Sequence, residues 1–416
     1  MMSNKFFQRY LKSASPVKTL IHWYDLYEGH RLILDKRFKN QLLKEAIKKA
    51  ENISELGRQT GISRKVISPV VNNKYNLRIK NLIKIADYVN YPLNNIDNKI
   101  KQIHGLKPKL PFNLNTEEGA EIRAAFLSDG HVDKHQTKPA QYCALEKELH
   151  KRLIRLCKTV FGEFKCKTFF NNGSYTTRFP AAIGGALKLS GVPRGNKTLS
   201  NVCIPKDILL GCKEIQTSYL RRVFDDEGDV YFDKFGKRAI RLTRSTSLKN
   251  LNTNIPSEKW IKVNNLPQDV KNNLILGEQI LLLKLGIDAR LYSEGIYKNK
   301  KGYITTKWRI QIGQQDQLRK FAELINFNLE RKRKKLDKIL KSYQYKQLPN
   351  GLGKKEALEF IKKILKKKRF FRFKDLGKEL MKSGRSYDLA GYYLNFFLNQ
   401  KVIKKIKRGV YTLDKY

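Results

Sequence analysis

The 416-residue chain has no apolar run long enough to cross a bilayer, and no apolar stretch of the secretory kind at its amino terminus. Membrane and secretory readings are set aside on that ground, and a cytoplasmic protein is expected. Cysteine is sparse. Cys143, Cys157, Cys166, Cys203 and Cys212 form no close C-x-x-C pair, so neither a disulfide framework nor a zinc site is expected, only reduced thiols. Acid is scarce against base: 38 Asp and Glu face 85 Lys and Arg, a net charge of +47. Such a surplus excludes a polyanionic surface and points to a polyanion partner, usually nucleic acid. A lysine-rich thermophilic proteome explains paired Lys and Glu better than it explains this imbalance.

Two stretches organise what is present. Residues 122–130 (IRAAFLSDG) and 220–228 (LRRVFDDEG) are apolar helical runs that each stop at an acid followed by glycine. Their acids, Asp129 and Glu227, lie about one hundred residues apart, which suggests an internal duplication. Glycine just past a helix end is the common left-handed cap, so each helix is expected to finish there with its carboxylate at the tip. With the helices side by side, both carboxylates meet at one point and share a hard divalent cation, which prefers oxygen ligands. Acid followed by glycine is also ordinary turn chemistry. The matched downstream patterns favour duplication.

Both stretches resemble the LAGLIDADG signature in the form found in DOD-type homing endonucleases of archaeal introns and inteins. The resemblance continues through residues 186–197 (ALKLSGVPRGNK), Ile204-Pro205-Lys206 and Tyr219-Leu220-Arg221. Further on it takes in Ser245-Thr246-Ser247, Leu285-Gly286-Ile287 and residues 308–312 (WRIQI), so that it covers roughly residues 110–340.

In chain order, residues 1–108 are expected to form an all-α helix-turn-helix domain of the phage-repressor type. Residues 53–63 (ISELGRQTGIS) give a short helix, a tight turn at Gly61 and a second helix capped by Ser63. That second helix, residues 64–71, offers Arg64, Lys65 and Ser68 to phosphates or base edges; the plainer alternative is a helical bundle. Residues 98–113 read as a linker. The core, residues 109–340, holds repeats at about 117–195 and 214–330. In the first, strands are expected over 131–134, 138–145, 163–170 and 174–180, with helices over 146–161 and 181–189. In the second, strands fall over 229–233, 237–243, 288–293 and 305–312, with helices over 273–285 and 317–325. Residues 249–272 make a longer, polar connection. The fold class is thus α+β, each half α-β-β-α-β-β-α with a curved solvent-facing sheet. Two such halves about a pseudo-twofold axis form a saddle, which the resemblance implies straddles duplex DNA.

After the basic run 331–335, residues 345–416 resemble a winged helix, with helices over 354–366, 374–382 and 387–398 and a hairpin turning at Arg408-Gly409. Lys404, Lys405, Lys407 and Arg408 lie on its wing near phosphates; a dimerising helical cap is the alternative. The chain ends without the His-Asn pair that protein splicing uses, so a free-standing protein is expected rather than an intact intein.

The resemblance implies hydrolysis of DNA phosphodiester bonds with Mg2+ or Mn2+, and Asp129 and Glu227 as the metal ligands. It also implies a lysine on a strand of each repeat. Lys167 and Lys307 are the candidates, with a phosphate contact or a solvated side chain equally open. His131, Asp133 and His135 share one strand face but lack a further ligand for a transition metal, and read as a face turned to DNA. The sequence departs from the signature where small residues let the helices pack: Ala124 and Ser128 comply, whereas Arg222 and Asp226 stand in the second motif. The latter two, one turn apart, pair with each other or reach across to the partner helix; a wider interface would separate the two acids. The expected function is a monomeric, site-specific double-stranded DNA endonuclease. The alternatives are a non-catalytic transcription regulator on the same platform and an RNA maturase.

Overall fold

Burial, more than propensity, makes the two motif helices. The first, Glu117–Leu127, starts where the Thr116 hydroxyl accepts a hydrogen bond from the Gly119 amide at 3.0 Å, with Glu117 and Glu118 at the positive end of the helix dipole. All of residues 119–127 are buried, so this helix shows no polar face and lies inside the protein. It buries even Arg123, whose guanidinium donates to the carbonyls of Gly119 and Leu114 and to Asp207 at 2.8 Å. The second, Lys213–Glu227, packs along the first, and the Ser218 hydroxyl donates to Glu117 at 2.9 Å between them.

The structure is a computed structural model and describes residues 4–14, 17–200, 202–233, 236–248, 260–261, 272–298, 304–343 and 352–414. The chain forms two compact units, one of residues 1–227, 244–281 and 293–308, the other of residues 228–243, 282–292 and 309–416.

In the first unit, the amino-terminal region is not all-α, and residues 98–113 are not a linker. Leu77–Arg78, Arg31–Leu34, Ile100–Ile103, Leu106–Pro108 and Gly162–Phe164 form a five-stranded sheet in that order. These strands are two to four residues long, too short for a period of two to stand out among lysines and prolines. Arg31–Leu34 nonetheless alternates exposed and buried. The helix pair Ile53–Thr60 and Arg64–Val71 forms as expected: Gly61 is left-handed (φ +61°) and the Ser63 hydroxyl accepts from the Lys65 amide.

The sheet of the first repeat is antiparallel, in the order Lys167–Asn171, Ser174–Phe179, Ala140–Ala144, Gly130–His131. Its register sets Thr177 and Gly130 on either side of Tyr142. The strand expected over 163–170 is divided, because Gly162–Phe164 leaves to pair with Leu106–Pro108. Helices Lys147–Phe161 and Ala181–Leu189 complete the repeat.

The second repeat has a five-stranded sheet in the order Gly228–Phe232, Arg238–Leu248, Ile304–Ile312, Arg290–Lys298, Trp260–Ile261, with helices Asn273–Lys284 and Gln315–Leu324. Apart from Trp260–Ile261 and Asn272, the connection read over 249–272 lies outside the described residues.

At the carboxy-terminal end of the second unit come helices Leu352–Leu365, Phe373–Lys382 and Leu389–Asn399, then the hairpin Ile403–Lys407 and Val410–Leu413. The short strand Phe371–Arg372 joins that hairpin in a three-stranded sheet. Gly409 turns the hairpin with φ +76°, and Ile361, Leu376, Leu380, Leu394, Phe397 and Ile403 share its core.

Candidate functional site at the paired helix ends

Both acids stand at helix ends, but glycine does not stop the helices in the expected way. Neither Gly130 nor Gly228 has positive φ. The first helix stops because Ser128 leaves the helical region (φ −89°, ψ −98°), and the second runs to Glu227 and passes directly into a strand. Gly130 is needed for space: a Cβ there would lie 2.5 Å from the Phe126 Cα, where the chain crosses the last helical turn. Gly130→Ala is therefore expected to cost about 1–3 kcal/mol by overpacking. Urea unfolding checks this, and an unchanged midpoint would refute it.

Asp129 and Glu227 are half-buried, the Glu227 side chain at 31% exposure. Burial first, then the charge of Glu227, push the Asp129 carboxyl up to about 6. With Glu227 this near, the two carboxylates form a local surplus of negative charge at Asp129.

Two basic residues answer it. The Lys197 ammonium donates to the carbonyls of Phe126 (3.0 Å) and Ser128, which the helix end leaves without partners, and to that of Gly130 (2.6 Å) in the strand that follows. Burial, then Arg244, lower Lys197 to about 8, while Glu227 and Asp129 oppose the shift. The Arg244 guanidinium donates to Glu227 at 3.0 Å, to Glu278 at 2.6 Å and to the Ser128 hydroxyl at 3.0 Å. Neither residue was singled out from sequence. The signal for Lys197 was its place at the end of Gly191-Val192-Pro193-Arg194-Gly195-Asn196, a turn whose two glycines have positive φ and whose Gly195 amide is tied to the Val132 carbonyl at 2.8 Å. Arg244 precedes the Ser-Thr-Ser run, and no local pattern marks it.

Of the two arrangements open to Arg222 and Asp226 the pairing forms, and what they reach beyond it is a strand of the first repeat, not the partner helix. They pair at 3.0 Å with both side chains 0% exposed, and they also reach the first repeat. The Tyr142 hydroxyl donates to Asp226 at 2.7 Å, and the Arg222 guanidinium lies 4.8 Å over the Tyr142 ring. Burial pushes Asp226 up to about 7, against the pull of Arg222. The seventh position of each motif is thus tied to the other repeat: Tyr142 holds Asp226, and Arg244 holds Ser128. These ties keep the helix ends together despite the bulky pair.

The other candidates lie elsewhere. Lys167 is exposed at the start of its strand, and Lys307 pairs with Glu294 at 3.0 Å. Neither is among the charges that act most on Asp129, which are Glu227, Lys197, Arg244 and Arg222. Asp133 accepts from the His135 amide at 2.8 Å in a turn beyond the short strand, so the expected strand face of His131, Asp133 and His135 does not form. Arg64 and Lys65 are exposed and Ser68 is half-buried; Lys404, Lys405, Lys407 and Arg408 are all exposed on the hairpin. Among the described residues, no group of three or more His, Cys, Asp or Glu gathers to hold an ion.

The sequence model of the LAGLIDADG-like domain family matches residues 214–326, from the second motif helix through the sheet that follows it. The chain carries a LAGLIDADG-like domain. A curated relative, the replication factor C small subunit of Methanocaldococcus jannaschii, is 25% identical over 252 residues, 61% of this chain. The match spans only 12% of that relative's length. Among solved structures, the homing endonuclease I-DmoI in complex with DNA and Ca is similar over 54% of this chain and 98% of its own, at 11% identity and TM-score 0.33. Full-length DUF199/WhiA from Thermatoga maritima is similar over 70% of this chain and 93% of its own, at 12% identity and TM-score 0.34. The matched residues take in Glu227 and its helix, while Asp129 and the first helix precede them.

Proposed function

We propose that the chain is a site-specific endonuclease that hydrolyses phosphodiester bonds of duplex DNA, with a divalent cation held by Asp129 and Glu227. The observation that carries this reading is the pair of half-exposed carboxylates on adjoining helix ends, one raised to about 6 partly by the other. Two carboxylates are a sufficient protein contribution for magnesium, which keeps several waters and takes further oxygens from substrate phosphate. Bound there, it would polarise the phosphate and lower the pKa of an attacking water. The chain's own residues place the carboxylates. Lys197 fixes the carbonyls around Asp129, Arg244 steadies Glu227, and Tyr142 holds the residue before it. Lys167 and Lys307 serve as strand contacts to phosphate. The paired helices at residues 53–71 and the winged-helix-like hairpin add affinity by raising effective concentration on one duplex, and the chain acts as a monomer.

A second reading has its own support. Arg244 already holds one Glu227 oxygen at 3.0 Å, as suits a DNA-binding regulator that has no need of a cation. Incubating the protein with a plasmid library in Mg2+ separates the two: breaks at a defined sequence support the endonuclease, and salt-sensitive binding with no breaks in Mg2+ or Mn2+ supports the regulator.

The pH dependence has a definite sign. A protonated carboxyl cannot ligate, so cation uptake weakens as pH falls through the Asp129 value of about 6. Uptake measured by calorimetry that stays flat between pH values on either side of that point would contradict it.

A further inference from the structure

Arg244 treats the two acids differently. Its side chain is 6% exposed, and its inner partner, Glu278 on the helix Asn273–Lys284, is 0% exposed. A buried carboxylate without a counter-charge is costly, so the guanidinium is anchored to Glu278 through contacts of 2.6 and 3.2 Å. The Ser128 hydroxyl fixes its other edge at 3.0 Å. Glu227, 31% exposed, is the outer partner, reached by a single contact at 3.0 Å. Among the described residues, no hydrogen bond or ion pair falls on the Asp129 carboxylate.

We infer that Arg244 is a positioning residue that makes Glu227 the weaker ligand of the pair, leaving Asp129 as the main holder of the divalent cation. The inference rests on the function proposed above. Physically, the guanidinium occupies one Glu227 oxygen while its charge is shared with Glu278, and a cation brought to Glu227 still meets a positive group within a few ångströms. At Asp129 the carboxylate is open. The Lys197 ammonium nearby hydrogen-bonds the carbonyls of Phe126, Ser128 and Gly130, and among the described residues no hydrogen bond of it falls on the Asp129 carboxylate.

The test is Mn2+ binding to the full chain without DNA, read by calorimetry. Asp129→Asn is expected to weaken binding by about tenfold or more and Glu227→Gln by less than about twofold, the difference expected when a guanidinium already holds one Glu227 oxygen and the Asp129 carboxylate is open. Arg244→Met combined with Glu278→Gln removes the guanidinium without stranding its buried partner. This variant is expected to bind Mn2+ about tenfold more tightly, a gain that adding Glu227→Gln abolishes. A merely structural arginine would give a loss instead. The inference is overturned if Glu227→Gln weakens binding as much as Asp129→Asn, or if the charge-free variant binds no more tightly. Should that variant fail to fold, the comparison of the two single carboxylate variants decides alone. If the unaltered chain binds no Mn2+, the proposed cation site itself falls; if it binds Mn2+ with Asp129 and Glu227 equally important, only the role of Arg244 falls.

Discussion

Arg222→Leu lowers the stability of the folded chain by about 3–5 kcal/mol, the usual cost of removing one member of a buried ion pair. The reason lies in what remains. Asp226 keeps a fully buried carboxylate that loses its 3.0 Å partner and is left with the Tyr142 hydroxyl alone. The Leu149 carbonyl, which Arg222 reaches at 3.5 Å, loses a donor as well. Leucine fills much of the volume but meets neither need. The urea midpoint of Arg222→Leu beside that of Arg222→Leu with Asp226→Asn reads the effect, and the double variant recovers part of the loss because its buried group is neutral. A single variant as stable as the original would mean that the pair is incidental to the packing of the motif helices.

On the proposed endonuclease function, Lys197→Met is expected to lower the single-turnover rate of DNA cleavage by about 100-fold while the affinity for the same fragment stays within about twofold, because an acid displaced by an ångström loses alignment more than binding. The Lys197 ammonium satisfies two carbonyls at the negative end of the first motif helix and that of Gly130 just beyond it, and its charge favours the ionised form of Asp129. Methionine keeps the length and supplies neither donors nor charge. By contrast Lys167→Met, at an exposed strand position, is expected to reduce the salt dependence of binding and leave the rate nearly intact. Equal rates for Lys197→Met and the unaltered protein would remove Lys197 from the account.

What the sequence disclosed is what local chemistry encodes. An apolar run ending in acid and glycine locates both helix ends, and Gly61 with Ser63 locates the turn between two short helices, because caps and left-handed turns depend on a few adjacent residues. The closing hairpin was legible from Arg408-Gly409 for the same reason. The surroundings of the acids were not legible. Arg244 meets Ser128 across 116 residues and Tyr142 meets Asp226 across 84, and no local period records such partners. The space around Gly130 is set by Phe126 folding back on it, which is why a glycine read as a left-handed cap proved to be a point of close approach. The amino-terminal sheet escaped notice because Ile100–Ile103 and Leu106–Pro108 are strands only by virtue of Arg31–Leu34 and Gly162–Phe164 beside them.

The central claim is that the two carboxylates at the helix ends form a cation-dependent hydrolytic centre for duplex DNA. The measurement that meets it most directly is the rate of double-strand breakage at the preferred sequence as Mg2+ is raised from a chelated start, with Asp129→Asn run alongside and the affinity for that sequence measured for both. The account predicts breaks that appear only with Mg2+ and only with the unaltered protein, while both proteins bind the sequence equally well. Undiminished breakage by Asp129→Asn, or equal binding with no breakage by either protein at any Mg2+ concentration, would contradict it.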